Sequence, residues 1–299
     1  MDYKKIFTNK KSRINLLNFL SFIPDSLMLR IEYLIRVGKS LDLARPQYYT
    51  EKIQWLKLYN RNPNYTVMVD KFAAKDFIRD KVGEKYVVPT LGVWDRSDLI
   101  DFNTLPNQFV LKCTHDSGSI IICNQKDTFD EKAAKESLDF HLRSDGYILG
   151  REWPYKNVPR KIIAEPLLIN NDYEIDFGVK DFKFFCFGGE PKLMYISNDK
   201  SDDPRTDFFD MDFNHLPIRM KDPSADCIPQ KPSNFDEMKQ IAGKLSEGIP
   251  HLRVDFYTLN SKIYVGEMTF FHNSGFTAVQ PEEWDLKMGE WIVLPSKEK

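Results

Sequence analysis

The sequence predicts an α+β fold, in which paired strands and helices are segregated along the chain. Three observations carry that expectation. "QFVLKC" (108–113) and "SIIIC" (119–123) read as short strands flanking the small polar loop "THDSG". "DFKFFCF" and "PKLMYI" read as a hairpin around Gly188-Gly189, and "LRVDFY" with "KIYVGEMTF" as another. Helical periodicity gathers before residue 86 and in two later segments, so the βαβ alternation of a doubly wound sheet is missing.

In chain order, residues 14–37 form two short amphipathic helices broken at Pro24. Asp25, Arg30, Glu32 and Arg36 interrupt this stretch, so it cannot be a transmembrane helix; it packs on the main body, or docks on a membrane surface or partner. "TEKIQWLKLYN" carries Ile53, Leu56 and Tyr59 on one stripe. A second helix opens at Tyr65 and runs to Gly83, with Val69, Phe72, Ala73, Ile78 and Val82 buried and Lys71 and Lys75 on another face. Thr128 and Glu131 form a capping box for "FDEKAAKESLDFHLR". "KIIAEPLLI" (161–169) is a buried strand running into a connection, and 197–205 is a polar loop. Ser233 and Asp236 cap the helix that Gly248 ends.

At 299 residues the chain can hold one large core or two domains sharing one. Its 42% hydrophobic and 29% charged content suits an ordinary globular protein, and a net charge of −2 speaks against a nucleic-acid partner. The four cysteines form no CxxC pair and have no histidine at zinc spacing; three of them lie in apolar runs, so buried free thiols in a reducing cytoplasm are expected. "MDYKKIFTNKKSR" does not read as a signal peptide.

The chemistry concentrates in "GIPHLRVDFYTLNSKIYVGEMTFFHNSGF" (248–276). If the hairpin is centred on Ser261, Asp255 faces Glu267 and Arg253 faces Thr269. Two carboxylates about 5 Å apart at Cβ repel unless a cation lies between them, and Mg²⁺ takes carboxylate and phosphate oxygens together. The plainer alternative is a salt-bridged strand in which Arg253 neutralises Asp255. Lys112 ends an apolar strand beside Ser117-Gly118-Ser119, a loop whose amides could wrap a phosphate. Glu165 lies inside "IIAEPLL" and needs a partner, either an adenine amino group or a structural hydrogen bond.

These features in this order resemble the ATP-grasp superfamily, and more closely its TupA-like family of bacterial surface-polymer biosynthesis. The resemblance spans about residues 47–295 and is carried by "TEKIQWLKLYNRNP", "VDKFAAKDFI", "LPNQFVLKCTHDSGS", "REWPYKN", "DFKFFCFGGEPK" and "LRVDFYTLNSKIYVGEMTF". It implies a helical region at 1–65 and two α+β subdomains, 66–165 and 166–299, clasping ATP. It also implies that Lys71 and Lys112 hold the ATP phosphates under a Ser117-Gly118-Ser119 lid. Glu165 would meet the adenine amino group, with the backbone of Leu167 and Leu168 on the ring edge. Asp181 and Lys183 would lie near ribose or phosphates, Asp255 and Glu267 would hold magnesium, and Arg253 would stabilise the transferring group. Thr269 stands where the superfamily carries Asn, so Thr269 or Asn273 would complete the metal site, or one of two metals would be bound loosely. Ser274-Gly275 would grip a substrate carboxylate.

The activity implied is an ATP- and Mg²⁺-dependent carboxylate–amine ligase acting through an acyl phosphate, on small-molecule or glycan substrates. Its implied setting is capsule or surface-polysaccharide assembly on the cytoplasmic side. Candidate acceptor charges are Arg151, Lys200 and Arg205, and among the histidines His115 borders the phosphate loop. Asp255→Asn is expected to weaken magnesium-dependent nucleotide binding and leave the fold intact. One rival is a glycosyltransferase using Asp210-x-Asp212; another is a degenerate nucleotide-binding protein, kept open by Thr269.

Overall fold

The computed structural model describes residues 16–17, 19–116, 118–168, 181–198 and 203–297. Helix α1 (Asp25–Val37) follows Pro24, which separates it from a single 3-10 turn at Leu20–Phe22. Helix α2 (Tyr49–Tyr59) starts where the Glu51 carboxylate accepts the backbone N–H groups of Gln47 and Tyr48. The long helix expected from Tyr65 is instead two, α3 (Asn64–Val69) and α4 (Ala74–Val82). Asp70 breaks it, because its carboxylate accepts the N–H groups of Phe72 and Ala73 in place of the helical ladder. The break resets the helical phase. Phe72 is therefore exposed (39%) and Lys75 buried (8%), the reverse of the sequence expectation.

Strands β1 (Gly92–Trp94), β2 (Phe109–Cys113) and β3 (Ile121–Cys123) come next, then helix α5 (Glu131–Arg143) and strand β4 (Ile162–Pro166). The four strands form an antiparallel sheet in the order β1-β4-β2-β3. Asp130, not Thr128, caps α5 by accepting the Ala133 N–H. Strands β5 (Asp181–Phe187), β6 (Glu190–Asn198), β7 (Arg205–Asp210) and β8 (His215–Leu216) precede helix α6 (Phe235–Leu245). Pairing thus consumes both ends of the loop expected at 197–205, and α6 has no side-chain cap from Ser233 or Asp236. Strands β9 (His251–Leu259) and β10 (Lys262–Thr269) and helix α7 (Glu282–Trp291) complete the chain. The second sheet runs β10-β9-β5-β6-β7-β8, all antiparallel. The expected α+β class is what is found.

Side-chain alternation gives the second sheet two unlike faces. Phe184, Val254 and Phe256 face the core, where Phe184 meets the rings of Phe235 at 5.6 Å and Phe256 at 5.5 Å. Burying each such side chain stabilises the fold by roughly 1.5–3 kcal/mol. Asp181, Lys183, Arg253 and Asp255 occupy the other face, and the register lines up Lys183, Asp255 and Glu267 across three strands.

The β9–β10 pairing brings Asp255 opposite Glu267 and Arg253 opposite Thr269, as the sequence suggests, but by another route. The turn is Asn260-Ser261, both at positive φ (48° and 62°), and pairs Leu259 with Lys262. That register alone would set Gly266 against Asp255. A bulge between Val265 and Glu267 shifts it by one residue and turns Glu267 onto the polar face. Gly266 makes this possible, because a Cβ there would come within 2.5 Å of the Tyr257 ring.

Candidate active site

A solvent-open cleft lies between the two sheets. One wall is Lys71, Lys75, Lys112 and Glu165, and the other is Tyr257, Gly266 and Glu267. Lys112 and Glu165 come from adjacent paired strands, β2 and β4. Both Glu165 oxygens are engaged, one by the Lys75 ammonium at 2.6 Å and the other by Lys112 at 2.7 Å. Burial alone would raise the Glu165 carboxyl, yet the two ammonium groups hold it below the ordinary glutamate range.

The lysines differ in what they have left to give. Lys75 uses its ammonium on Glu165, the Val88 carbonyl and the Thr90 hydroxyl, and burial lowers its pKa. Lys112 donates only to Glu165 among the described residues, which leaves it donors for a ligand in the cleft. Lys71 reaches the Asp116 carbonyl, in the loop after β2. It sits at the helix break, not within a helix as expected.

That loop is braced from behind. Ser119 Oγ accepts the Cys113 N–H at 2.8 Å and donates to Asp116 Oδ1 at 2.5 Å, and Asp116 Oδ2 takes His141 Nδ1 at 2.5 Å. The Ser119 hydroxyl, expected over a phosphate, is thus committed to the loop itself. Gly118 is at φ 99°, a backbone conformation that glycine adopts without side-chain strain. Ser117 lies outside the described residues. Leu167 and Leu168 are half-buried just past β4.

On the second sheet, Arg253 grips Asp255 through two bonds of 2.7 Å, Nε to Oδ1 and Nη2 to Oδ2. Lys183 adds a third contact to Asp255 at 3.0 Å and also pairs with Asp181. Burial would push the Asp255 carboxyl up, but Arg253 and Lys183 hold it below the ordinary range. Asp181, with less compensation, is pushed up to about 6 by burial. Arg253 also donates to Thr269 Oγ1 at 3.1 Å and to His272 Nδ1 at 2.5 Å. Thr269, expected among the metal ligands, here braces the guanidinium.

The Glu267 carboxylate has no hydrogen bond or ion pair among the described residues and borders the cleft. Asp255, opposite it in the ladder, is buried off the cleft lining and carries the Arg253 and Lys183 contacts, which is the salt-bridged arrangement of the plainer alternative. Glu267 and the remaining Asp255 lone pairs would hold a Mg²⁺ ion only with phosphates supplying its other ligands. No group of three or more acidic, His or Cys side chains suited to a metal occurs among the described residues, so phosphate oxygens would have to complete the shell.

The remaining candidates scatter. Arg151 is only 2% exposed and donates to Asp25 and to the carbonyls of Leu20 and Ile23, so it anchors the start of α1. Arg205 begins β7, where Asp203 and the Ser224 carbonyl hold it. Lys200 lies outside the described residues. Ser274 and Gly275 sit in a turn (His272–Gly275) tied to α2: their carbonyls accept the Gln54 amide, and Lys57 donates to Ser274 O at 2.7 Å and Gly150 O at 2.8 Å. Burial lowers the Lys57 ammonium to about 8. The residues missed by sequence reasoning are Lys75, Lys57, His272, Glu152 and Tyr155. Lys75 was legible as a cation four residues from Lys71, but its burial depends on the Asp70 break.

A family model described as TupA-like ATPgrasp matches residues 51–293. No curated protein matches the chain. Among solved structures, D-alanine–D-alanine ligase from Helicobacter pylori superposes with a TM-score of 0.47 at 13% identity, over 83% of this chain and 70% of that one. ATP-grasp ligase PsnB, complexed with a phosphomimetic variant of its minimal precursor, Mg and ADP, gives 0.42 at 12% identity, over 97% and 75%. For the Bacillus anthracis D-alanine–D-alanine ligase complexed with ATP the values are 0.38 and 12%, over 68% of this chain and 54% of that one. This chain thus spans about half the length of the Bacillus anthracis enzyme. Such distant likenesses carry no residue roles. The family match covers most of the sequence, and on it the chain belongs to the TupA-like ATPgrasp family.

Proposed function

We propose that this ATP-grasp enzyme is an ADP-forming carboxylate–amine ligase, with subdomains at 66–165 and 166–299 clasping ATP, and that it forms an amide in bacterial surface-polysaccharide assembly. The observation that carries the reading is the cleft itself: Lys112, with donors to spare, faces the uncommitted Glu267 carboxylate across it. ATP with Mg²⁺ supplies the phosphoryl group that activates the substrate carboxylate, and an amine then displaces phosphate. Lys112 and Lys71 bind phosphate oxygens, Lys75 and Glu165 hold Lys112 in place, and the Leu167 and Leu168 backbone meets the adenine edge. Glu267 and Asp255 hold magnesium, while Arg253, braced by Thr269 and His272, faces the transferring group. Positioning and charge neutralisation account for most of the catalysis in such a step.

The sugar-transfer alternative loses support from the same geometry. Asp210 Oδ1 accepts the N–H groups of Asp212 and Asn214, and Oδ2 accepts the Asn214 amide, which is the chemistry of a turn. A thermal-shift comparison with Mg–ATP, Mg–ADP and UDP- and GDP-sugars separates the two. A ligand at 100 times its Kd adds about 2.7 kcal/mol, worth several degrees. Adenine nucleotides are expected to shift the midpoint, and Asp212→Asn is expected to leave that shift unchanged. A shift with sugar nucleotides alone would overturn the reading.

The proposed setting extends to an anionic bilayer. Phe19, Phe22, Leu27, Ile31 and Leu34 are 74%, 75%, 50%, 40% and 57% exposed, an unusual concentration within sixteen residues. The stretch before them carries Lys4, Lys5, Lys10, Lys11 and Arg13 against Asp2 alone. An apolar stripe beside basic residues suits surface binding to anionic lipid, and no helix among the described residues is long and apolar enough to cross a membrane. The chain is expected to float with phosphatidylglycerol vesicles and not with phosphatidylcholine ones. Replacing Phe19, Phe22 and Leu34 with Ser should abolish flotation, and retained flotation would refute the contact.

A further inference from the structure

A second cavity, open to solvent and sized for a small ligand group, lies between the loop after β2 and the "REWPYKN" segment, outside the nucleotide cleft. His115 and Asp116 line one side, and Asp145, Glu152, Tyr155 and Ser274 the other. We infer that this cavity seats the amine substrate, bound as an ammonium by Glu152 and His115, and that Glu152 takes its proton. The inference deepens the ligase reading and rests on it.

Two residues lining the cavity, His115 and Glu152, each carry an acceptor with no partner among the described residues. His115 is 1% exposed, and its Nε2 meets the Ser144 carbonyl at 3.2 Å, so Nε2 must carry the proton. That leaves Nδ1 with its lone pair, and Nδ1 has no partner among the described residues. An unmet acceptor in a buried site costs about 1–3 kcal/mol, which a bound N–H donor would recover. Burial also favours the neutral ring.

Glu152 supplies the charge. Its Oε1 accepts the Ser274 hydroxyl, and Oε2 has no hydrogen-bond partner among the described residues. The carboxyl is pushed up by burial and by Glu267 against Lys57, a hydrogen bond from Ser274 and Arg253. The walls are in close contact here, since a Cβ on Gly150 would lie 2.3 Å from Ser274 Oγ and 3.0 Å from Glu152 Oε1.

The charge balance then decides between the two substrates. Among the described residues, no Lys or Arg lines the cavity. Asp116 is hydrogen-bonded to His141, Lys57 spends its bonds on the Gly150 and Ser274 carbonyls, and Lys71 reaches the Asp116 carbonyl from the nucleotide cleft. A carboxylate entering here would find no free cation. An ammonium would find a carboxylate and a lone pair.

The position suits the chemistry as well. Ser274, on the cavity wall, shares a turn with His272, which accepts a hydrogen bond from Arg253, so the cavity lies beside the proposed phosphoryl platform. One ammonium proton passes to Glu152, and the freed nitrogen lone pair forms the C–N bond at the acyl-phosphate carbonyl. As the C–O bond to phosphate breaks, a second N–H proton leaves with the phosphate, and Glu152 returns its proton to solvent.

The test has two arms. Glycinamide, an ammonium without a carboxylate, is titrated calorimetrically into the full chain loaded with Mg²⁺ and a non-hydrolysable ATP analogue. Wild type and Glu136→Gln, an exposed control on α5, are expected to bind it alike. Glu152→Gln is expected to bind at least ten-fold more weakly, and Glu152→Asp to recover part of the loss. Equal binding by Glu152→Gln and wild type, or no binding by wild type, overturns the inference.

In the second arm, hydroxylamine, largely unprotonated at neutral pH, traps acyl phosphates across a panel of uronic acids. Glu152→Gln should keep hydroxylamine-supported ADP release and lose release supported by ordinary amines. Equal loss of both would overturn the role. If glycinamide binds but wild type never forms a hydroxamate, the ligase reading falls and the amine site stands.

Discussion

Asp255→Ala is expected to destabilise the fold by about 3–5 kcal/mol and to abolish magnesium-dependent nucleotide binding. The stability loss follows from what Asp255 holds. Its two oxygens take Arg253 at 2.7 Å each and Lys183 at 3.0 Å, all in a buried layer. Without the carboxylate, among the described residues the guanidinium keeps Thr269 and His272, and Lys183 keeps Asp181. Asp255→Asn retains the shape and one acceptor, so its cost is smaller, about 1.5–3 kcal/mol. This revises the sequence-level expectation that Asn would leave the fold intact. The sign with pH is fixed by the lowered Asp255 pKa: its contribution is full above the ordinary aspartate range and is lost as the pH falls through the folded value. Urea midpoints of wild type and Asp255→Ala should therefore converge in acid. Equal midpoints at pH 7 would show that Asp255 is not the hub of the network.

The parts of this site that could be read in the sequence are those that depend on strand alternation. Arg253 and Asp255 are two residues apart, so they had to share a face, and Glu267 and Thr269 followed from the pairing. Even there the pairing came out right through compensating details. The two-residue turn and the Gly266 bulge each shift the register by a step that a turn centred on Ser261 had absorbed. Helix phase was less legible. A continuous apolar stripe through 65–83 hid the Asp70 break, because Asp capping its own following amides competes with the helix locally and leaves no hydrophobic signature. Burial of Lys75 and exposure of Phe72 both follow from that one residue. Partners from distant segments were not legible at all. Nothing in "REWPYKN" says that Arg151 holds α1 while Glu152, the next residue, faces Ser274. Nor does "QWLKL" say that Lys57 reaches two carbonyls more than ninety residues away.

Lys112→Met should cut turnover by a factor on the order of 10² to 10³ while leaving the melting temperature close to that of wild type. Lys75→Met should do the opposite. Both lysines pair with Glu165, but only Lys112 has donors uncommitted in the cleft, whereas Lys75 spends its ammonium on Glu165, Val88 and Thr90. In Lys112→Met the Glu165 charge is still met by Lys75 at 2.6 Å, so the fold loses one of two counter-ions and the ligand loses its main cation. In Lys75→Met the Val88 carbonyl and Thr90 hydroxyl lose their partner in a buried site. The expected penalty is about 3–5 kcal/mol, with the folded enzyme keeping most of its phosphate contact through Lys112. Measuring kcat/KM for ATP beside the melting temperature in both variants separates binding from scaffolding. Wild-type turnover in Lys112→Met would remove it from the phosphate site. An equal activity loss in both variants without unfolding would mean that the two lysines and Glu165 work as one unit, and that neither ammonium can be assigned the phosphate alone.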